Sequence, residues 1–108
     1  MAQTLKKLGQ GAFAVADGAL YTAPAGTYAA ITGIWITNTD TAERTFRLHQ
    51  VNAAGSSAAT NAIYYDLPVG SKRSFTPPIG IILEPGQMLR GLASATAVTY
   101  TIFGIEST

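Results

Sequence analysis

The stretch Thr27-Tyr28-Ala29-Ala30-Ile31-Thr32-Gly33-Ile34-Trp35-Ile36-Thr37-Asn38 decides the fold. It is rich in β-branched and aromatic residues, the types that fit a pleated surface. Pro24-Ala25-Gly26 turns the chain before it, and Asn38-Thr39-Asp40 follows it. Read with a period of two, Tyr28, Ala30, Thr32, Ile34 and Ile36 share one face. Ala29, Ile31, Gly33, Trp35 and Thr37 share the other. Neither face is charged. A strand of this kind belongs in the middle of a sheet with both sides covered, by the protein's own core or by another subunit.

Downstream, residues 44–51 put Phe46 and Leu48 on one side and Arg47 and His49 on the other. That alternation marks a half-exposed antiparallel strand, paired most simply with the central one. Residues 52–61 are rich in Ala, Ser and Gly and read as a mobile loop. Residues 62–67 form the next strand, with Ile63, Tyr65 and Leu67 on one face. A short strand at 72–76 is stopped by Pro77-Pro78, because proline cannot donate to a ladder. Residues 79–83, 88–93 and 98–105 complete the set, and Glu84-Pro85-Gly86-Gln87 fits a type II turn.

Upstream, residues 12–15 and 19–22 are short strand candidates, with a possible hairpin across Asp17-Gly18. Residues 1–11 read as an N-terminal arm, with at most a short strand at Thr4–Leu8, because polar residues and the glycines Gly9 and Gly11 give it little to bury. The pattern of eight or nine short strands is all-β: an antiparallel β-sandwich over residues 12–108, jelly-roll-like.

Composition narrows the function. Seven basic and six acidic residues leave a net charge of +1, which makes no electrostatic case for nucleic acid. No signal peptide or membrane-spanning segment is expected. There is no cysteine, hence no disulfide or thiolate metal site. Charged residues make up 12% of the chain, about half the usual share. Either Ser and Thr do much of the solvating, or much of the surface is not solvated. The second option points to an assembly, since interface cores are depleted of charged residues.

The residues point to no enzyme and no cofactor. His49 is the only histidine, near Ser56 and Ser57, with Asp40 and Asp66 elsewhere. A nucleophilic triad needs the base beside the nucleophile and an acid behind the base, and no spacing here arranges that. One histidine cannot make a zinc cluster, and the acids are too dispersed for a calcium loop. The candidate functional residues are therefore interface residues. They are Leu5, Lys6 and Lys7 on the arm, Trp35 on the central strand, the exposed-looking Tyr64, and the basic pair Lys72-Arg73.

The succession Leu20-Tyr21-Thr22-Ala23-Pro24-Ala25-Gly26, then residues 31–38 ending in Asn-Thr, resembles small virion proteins of tailed bacteriophages and prophages. So do Asn61 to Asp66, Leu83-Glu84-Pro85-Gly86-Gln87-Met88-Leu89 and Phe103-Gly104-Ile105-Glu106. The resemblance implies a β-sandwich module that decorates or cements a capsid by binding the major capsid protein and its own copies, preferably as a trimer. Alternatives are a neck, tail or fibre component, or a module binding a host-surface glycan. It implies residence in the virion, after assembly in the bacterial cytoplasm, and carries over no catalytic or ligand residue.

Overall fold

A computed structural model describes residues 2–108. Nine strands follow in order: β1 (Gln3–Ala12), β2 (Gly18–Thr22), β3 (Tyr28–Asn38), β4 (Arg44–Val51), β5 (Ala62–Val69), β6 (Ser74–Phe75), β7 (Ile81–Leu83), β8 (Met88–Ala93) and β9 (Val98–Ser107). One 3₁₀ turn, Ala59–Asn61, precedes β5. A front sheet runs β1-β9-β3, with β6 and β7 both on the far edge of β3. A back sheet runs β2-β8-β4-β5. Every pairing is antiparallel. Phe13, Ile31, Ile34, Ile36, Phe46, Leu48, Leu83, Leu89 and Ile102 fill the space between the sheets.

The central strand lies inside its sheet, as its composition requires, but strict alternation fails within it. The register against β9 slips between Ile31 and Gly33. Ala29 and Ile31 and then Ile34, Ile36 and Asn38 are all buried, while Tyr28, Thr32 and Trp35 are exposed. A bulge sets two residues opposite one and so reverses the parity of everything beyond it. Within the chain the core covers one face of this strand, and the other, with Tyr28, Thr32 and Trp35, is open. Gly33 marks the place: a Cβ there would stand 2.3 Å from the Phe103 ring.

Three further expectations change. First, β4 pairs with β5 and β8, not with β3. The turn after β3 carries the chain from the front sheet to the back one, so Phe46 and Leu48 meet β3 across the core. Asn38 holds this corner. Its buried amide donates to the carbonyls of Ala42, Val69 and Gly70, and its Oδ1 accepts from the Asp40 amide. Second, most of the stretch read as an arm belongs to the edge strand β1, paired from Gln3 opposite Ser107 to Ala12 opposite Thr99. Met1 lies outside the described residues. Its two glycines are close-packing points: a Cβ at Gly9 would stand 3.1 Å from the Leu20 carbonyl, and one at Gly11 3.4 Å from the Tyr100 hydroxyl. Third, residues 13–17 form no strand and no hairpin. Phe13 bonds Val98 of the front sheet while Ala14 accepts from Ala93 of the back sheet, so the segment is a crossover.

The turn at residues 84–87 has the expected form, with Gly86 at φ 85 and Gln87 N–H donating to the Glu84 carbonyl. The parity of β5 differs from expectation. Asp66 adopts a left-handed φ of 54, and the register slips beside it. Tyr64 therefore packs inward on Phe46 and donates to the Pro78 carbonyl, and Tyr65 turns outward.

Candidate functional site

Antiparallel neighbours share a face, so the register gives the composition of each outer surface. On the front sheet Leu5 stands opposite Ile105, Ile105 opposite Ala30, and Ala30 opposite Ile82. These four make an apolar row from one edge of the sheet to the other. Tyr28 lies beside the row, and a depression of about 220 Å³ opens between Tyr28, Ala30, Ile82 and Ile105. Phe103 lies over Gly33 and meets Trp35 edge-on at 6.3 Å. Leu5 is 79% exposed, Ile82 64%, Trp35 58%, Tyr28 48% and Phe103 37%. Among the described residues Lys7 is the one charged residue registered on this face, and it bonds Gln10.

The outer surface of the back sheet is the opposite in character. His49 stands opposite Arg90, and Arg47 opposite Leu92. Arg47 makes a two-pronged bond to Asp66 at 2.7 and 3.0 Å and lies 3.9 Å above the Tyr65 ring. Arg90 pairs with Asp17, which also accepts from the Ser57 hydroxyl. Arg47 holds its carboxylate firmly: Asp66 sits below the usual carboxyl range because of its bonds from Arg47.

His49 faces outward, as its place in the alternation requires, yet it is only 3% exposed. Residues 56–61, read from the sequence as part of a mobile loop, fold over it. Asn61 pins them: its Oδ1 accepts from the Ala58 amide, its Nδ2 donates to the Ser56 carbonyl, and the same Oδ1 lies 2.9 Å from His49 Nδ1. An opening of about 190 Å³ remains between Asp17, Arg47, His49, Ser57, Tyr65 and Leu92. Ser57 bonds the acid rather than the histidine, so the triad weighed from the sequence is not assembled. Among the described residues, no three His, Asp or Glu side chains converge on a metal position.

The other sequence-derived candidates separate. Leu5 and Trp35 join the front face. Lys6 points to the other side of β1 and bonds Glu106, whose second oxygen accepts from Tyr21 at 2.5 Å. That bond fastens β2 to β9 across the edge of the sandwich. Burial and the Glu106 carboxylate push the Tyr21 phenol well above its usual range, and the Tyr21 and Lys6 donors hold Glu106 below its own. Tyr64 turns inward and leaves the candidate surface. Lys72 and Arg73 sit in the exposed turn before β6 and make no ion pair among the described residues.

Sequence reasoning missed Phe103, Ile82 and Ile105 on the front and Asp17, Tyr65 and Arg90 on the back. Only pairing brings them together. The usable signal was Gly33, since an isolated glycine inside a strand pattern marks a bulge or a close approach. No family model matches the chain, and neither a curated protein nor a solved structure does.

Proposed function

We propose that this chain is a structural protein of a bacteriophage virion, a capsid decoration or cement protein seated through the outer face of its front sheet. The occupants of that face are the major capsid protein and further copies of the chain, with a trimer as the favoured assembly. The observation that carries the reading is the apolar row Leu5, Ile105, Ala30 and Ile82, with Tyr28, Phe103 and Trp35 around it. Leu5, Ile82, Trp35, Tyr28 and Phe103 are large apolar side chains left exposed on this one face, and exposed apolar patches of this kind mark interaction surfaces.

We also infer a jelly roll. β6 and β7 follow one line along β3, interrupted at residues 76–80 by Pro77-Pro78. Counted as one strand, they leave eight strands divided four and four, an order that fits the paired Greek keys of that fold. Capsid and lectin domains both use it, so the fold alone does not choose a function. The apolar face favours assembly. A neck, tail or fibre location would use the same face.

The test is an electron-microscopy map of the parent particle. The front sheet is expected against coat protein, with the back sheet in solvent. Copy number on the order of the coat protein's means shell, and a single ring of copies means neck or tail. Absence of the chain from purified particles, or a front sheet facing solvent within them, overturns the reading.

A further inference from the structure

We propose that the opening on the back sheet is a binding site for a neutral carbohydrate, large enough for one sugar ring at the end of a glycan or polysaccharide. The site does not depend on what covers the front sheet.

Four observations lead there. The opening of about 190 Å³ is small, and His49, Ser57, Asp17 and Arg47 line it together with Tyr65 and Leu92. Its charges cancel in pairs, Arg47 with Asp66 and Arg90 with Asp17, so a net-charged ligand meets no unpaired opposite charge. Its polar atoms mix donors with acceptors. Ser57 Oγ gives its proton to Asp17 and keeps its lone pairs, while Arg47 retains guanidinium N–H groups that Asp66 does not use. Finally, the Tyr65 ring and the Leu92, Ala58 and Ala59 side chains supply apolar surface beside those atoms. Alternating hydroxyls and C–H faces are what a sugar ring offers, and each hydroxyl both donates and accepts.

His49 adds a group whose state the fold fixes. Its Nδ1 lies 3.0 Å from the Ala58 carbonyl and 2.9 Å from Asn61 Oδ1. Both are acceptors, because Asn61 Nδ2 is committed to the Ser56 carbonyl. Nδ1 therefore carries the proton, and in the neutral ring Nε2 is left as a lone-pair acceptor. Among the described residues no buried side-chain nitrogen or oxygen lacks a partner. Nε2 has no partner among the described residues, so it is not sealed off, and His49 lines the opening. A ligand hydroxyl is the donor it lacks.

The experiment is a ¹H–¹⁵N titration of the full chain with common neutral hexoses, deoxyhexoses and N-acetylhexosamines. Sodium sulfate and sodium phosphate serve as anion arms. Saturable shifts are expected for at least one neutral sugar, centred on the amides of residues 57–59 and 65, with Kd in the range of about 1–50 mM. Tyr65→Ala removes an exposed ring and should weaken binding about tenfold or more. His49→Asn keeps a donor near the Nδ1 position and deletes Nε2. It should weaken binding by a similar factor while the amides of residues 56–61 keep their free-state shifts. If His49→Asn unpins the loop, Tyr65→Ala alone decides. The proposal is overturned if no sugar in the panel gives a saturable shift, if binding survives Tyr65→Ala unchanged, or if only sulfate or phosphate saturates.

Discussion

Leu5, Ile105, Ala30 and Ile82 cross the front sheet in one row, and Ala62, His49, Arg90 and Ala19 cross the back sheet in another. Both rows lie on outer faces of the same sandwich. The second pairs its charges internally: Arg90 has Asp17, and His49 Nδ1 has Ala58 and Asn61. Its charges gain little from a protein partner and would lose hydration on meeting one. The first has nothing to satisfy except the hydrophobic effect, at roughly 25 cal/mol per Å² of apolar surface removed from water. The scarcity of charge in the whole chain is thus unevenly spread. The back face carries paired charges, and the front face is where charge is missing.

The largest effect should come from putting charge on the front. Trp35→Lys combined with Ile82→Lys adds two cations to the front face at exposed positions. The fold should be unaffected, with a melting temperature within a few degrees of the parent. Buried anchor residues at interfaces are worth about 2 kcal/mol or more each. Self-association measured by sedimentation, or binding to the particle, should therefore fall by about a thousandfold. Leu92→Lys on the back face should leave both unchanged. Association that survives the double variant would remove the front sheet from the interface.

The contrast between the faces needs a chain that changes sheets, and Asn38 is where it does so. Asn38→Ala leaves three carbonyls without their donor and the Asp40 amide without its acceptor, in a place with no exposure. The expected cost is about 2–3 kcal/mol, read as a melting temperature lower by about 10 °C. An unchanged melting temperature would mean the corner is held by the backbone alone.

Much of this architecture could be read from the chain. Residues 44–51 and 88–93 have the strand bounds their alternation gives, and the turns at Gly26 and Gly86 have the positive φ that glycine permits. What could not be read depended on partners distant in sequence. β1 is a strand because β9 offers it an edge some ninety residues away. β3 changes which of its residues face the core because the bulge at Gly33, where Phe103 lies close, shifts its pairing with β9. The candidate residues fared worse than the strands for the same reason. Leu5 on the N-terminal stretch and Trp35 on the central strand can be named from the sequence, whereas Asp17, Tyr65 and Arg90 meet only after the back sheet forms.

Acid should separate the faces a second way. Asp40, Asp66 and Glu106 are all held below their ordinary values, Asp40 by Arg44, Asp66 by Arg47, and Glu106 by Tyr21 and then Lys6. A carboxyl whose folded value lies below its unfolded one contributes stability above the unfolded value. For these groups the reference values are 3.8 for Asp and 4.5 for Glu. That contribution is lost as pH falls through the folded value. Denaturant midpoints should thus hold steady from about pH 8 to pH 5 and decline below about pH 4. Front-sheet association has no carboxylate in its apolar row. It should show no pH dependence across the range where the chain stays folded. A front-face affinity that changed between pH 8 and pH 5 would point to a charged contact in an interface argued to be apolar.

The smallest effects belong to Asp66, which has two roles that substitution can separate. Its carboxylate pairs with Arg47, but the pair is exposed, and such pairs are worth about 0–1 kcal/mol. Its backbone has a φ of 54, a region that Asn and Asp tolerate and β-branched residues do not. Asp66→Asn removes the charge and keeps the backbone option, and should cost about 0.5 kcal/mol or less in chemical denaturation. Asp66→Val removes both, and should cost about 1–3 kcal/mol. The left-handed residue also sets which tyrosine faces out. The outward Tyr65 ring should keep its place in Asp66→Asn, read as unchanged Tyr65 ring-proton shifts by NMR. If Asp66→Asn and Asp66→Val cost the same, the backbone at this position carries no strain to relieve. The outward turn of Tyr65 would then owe its existence to the Arg47 guanidinium stacked on its ring.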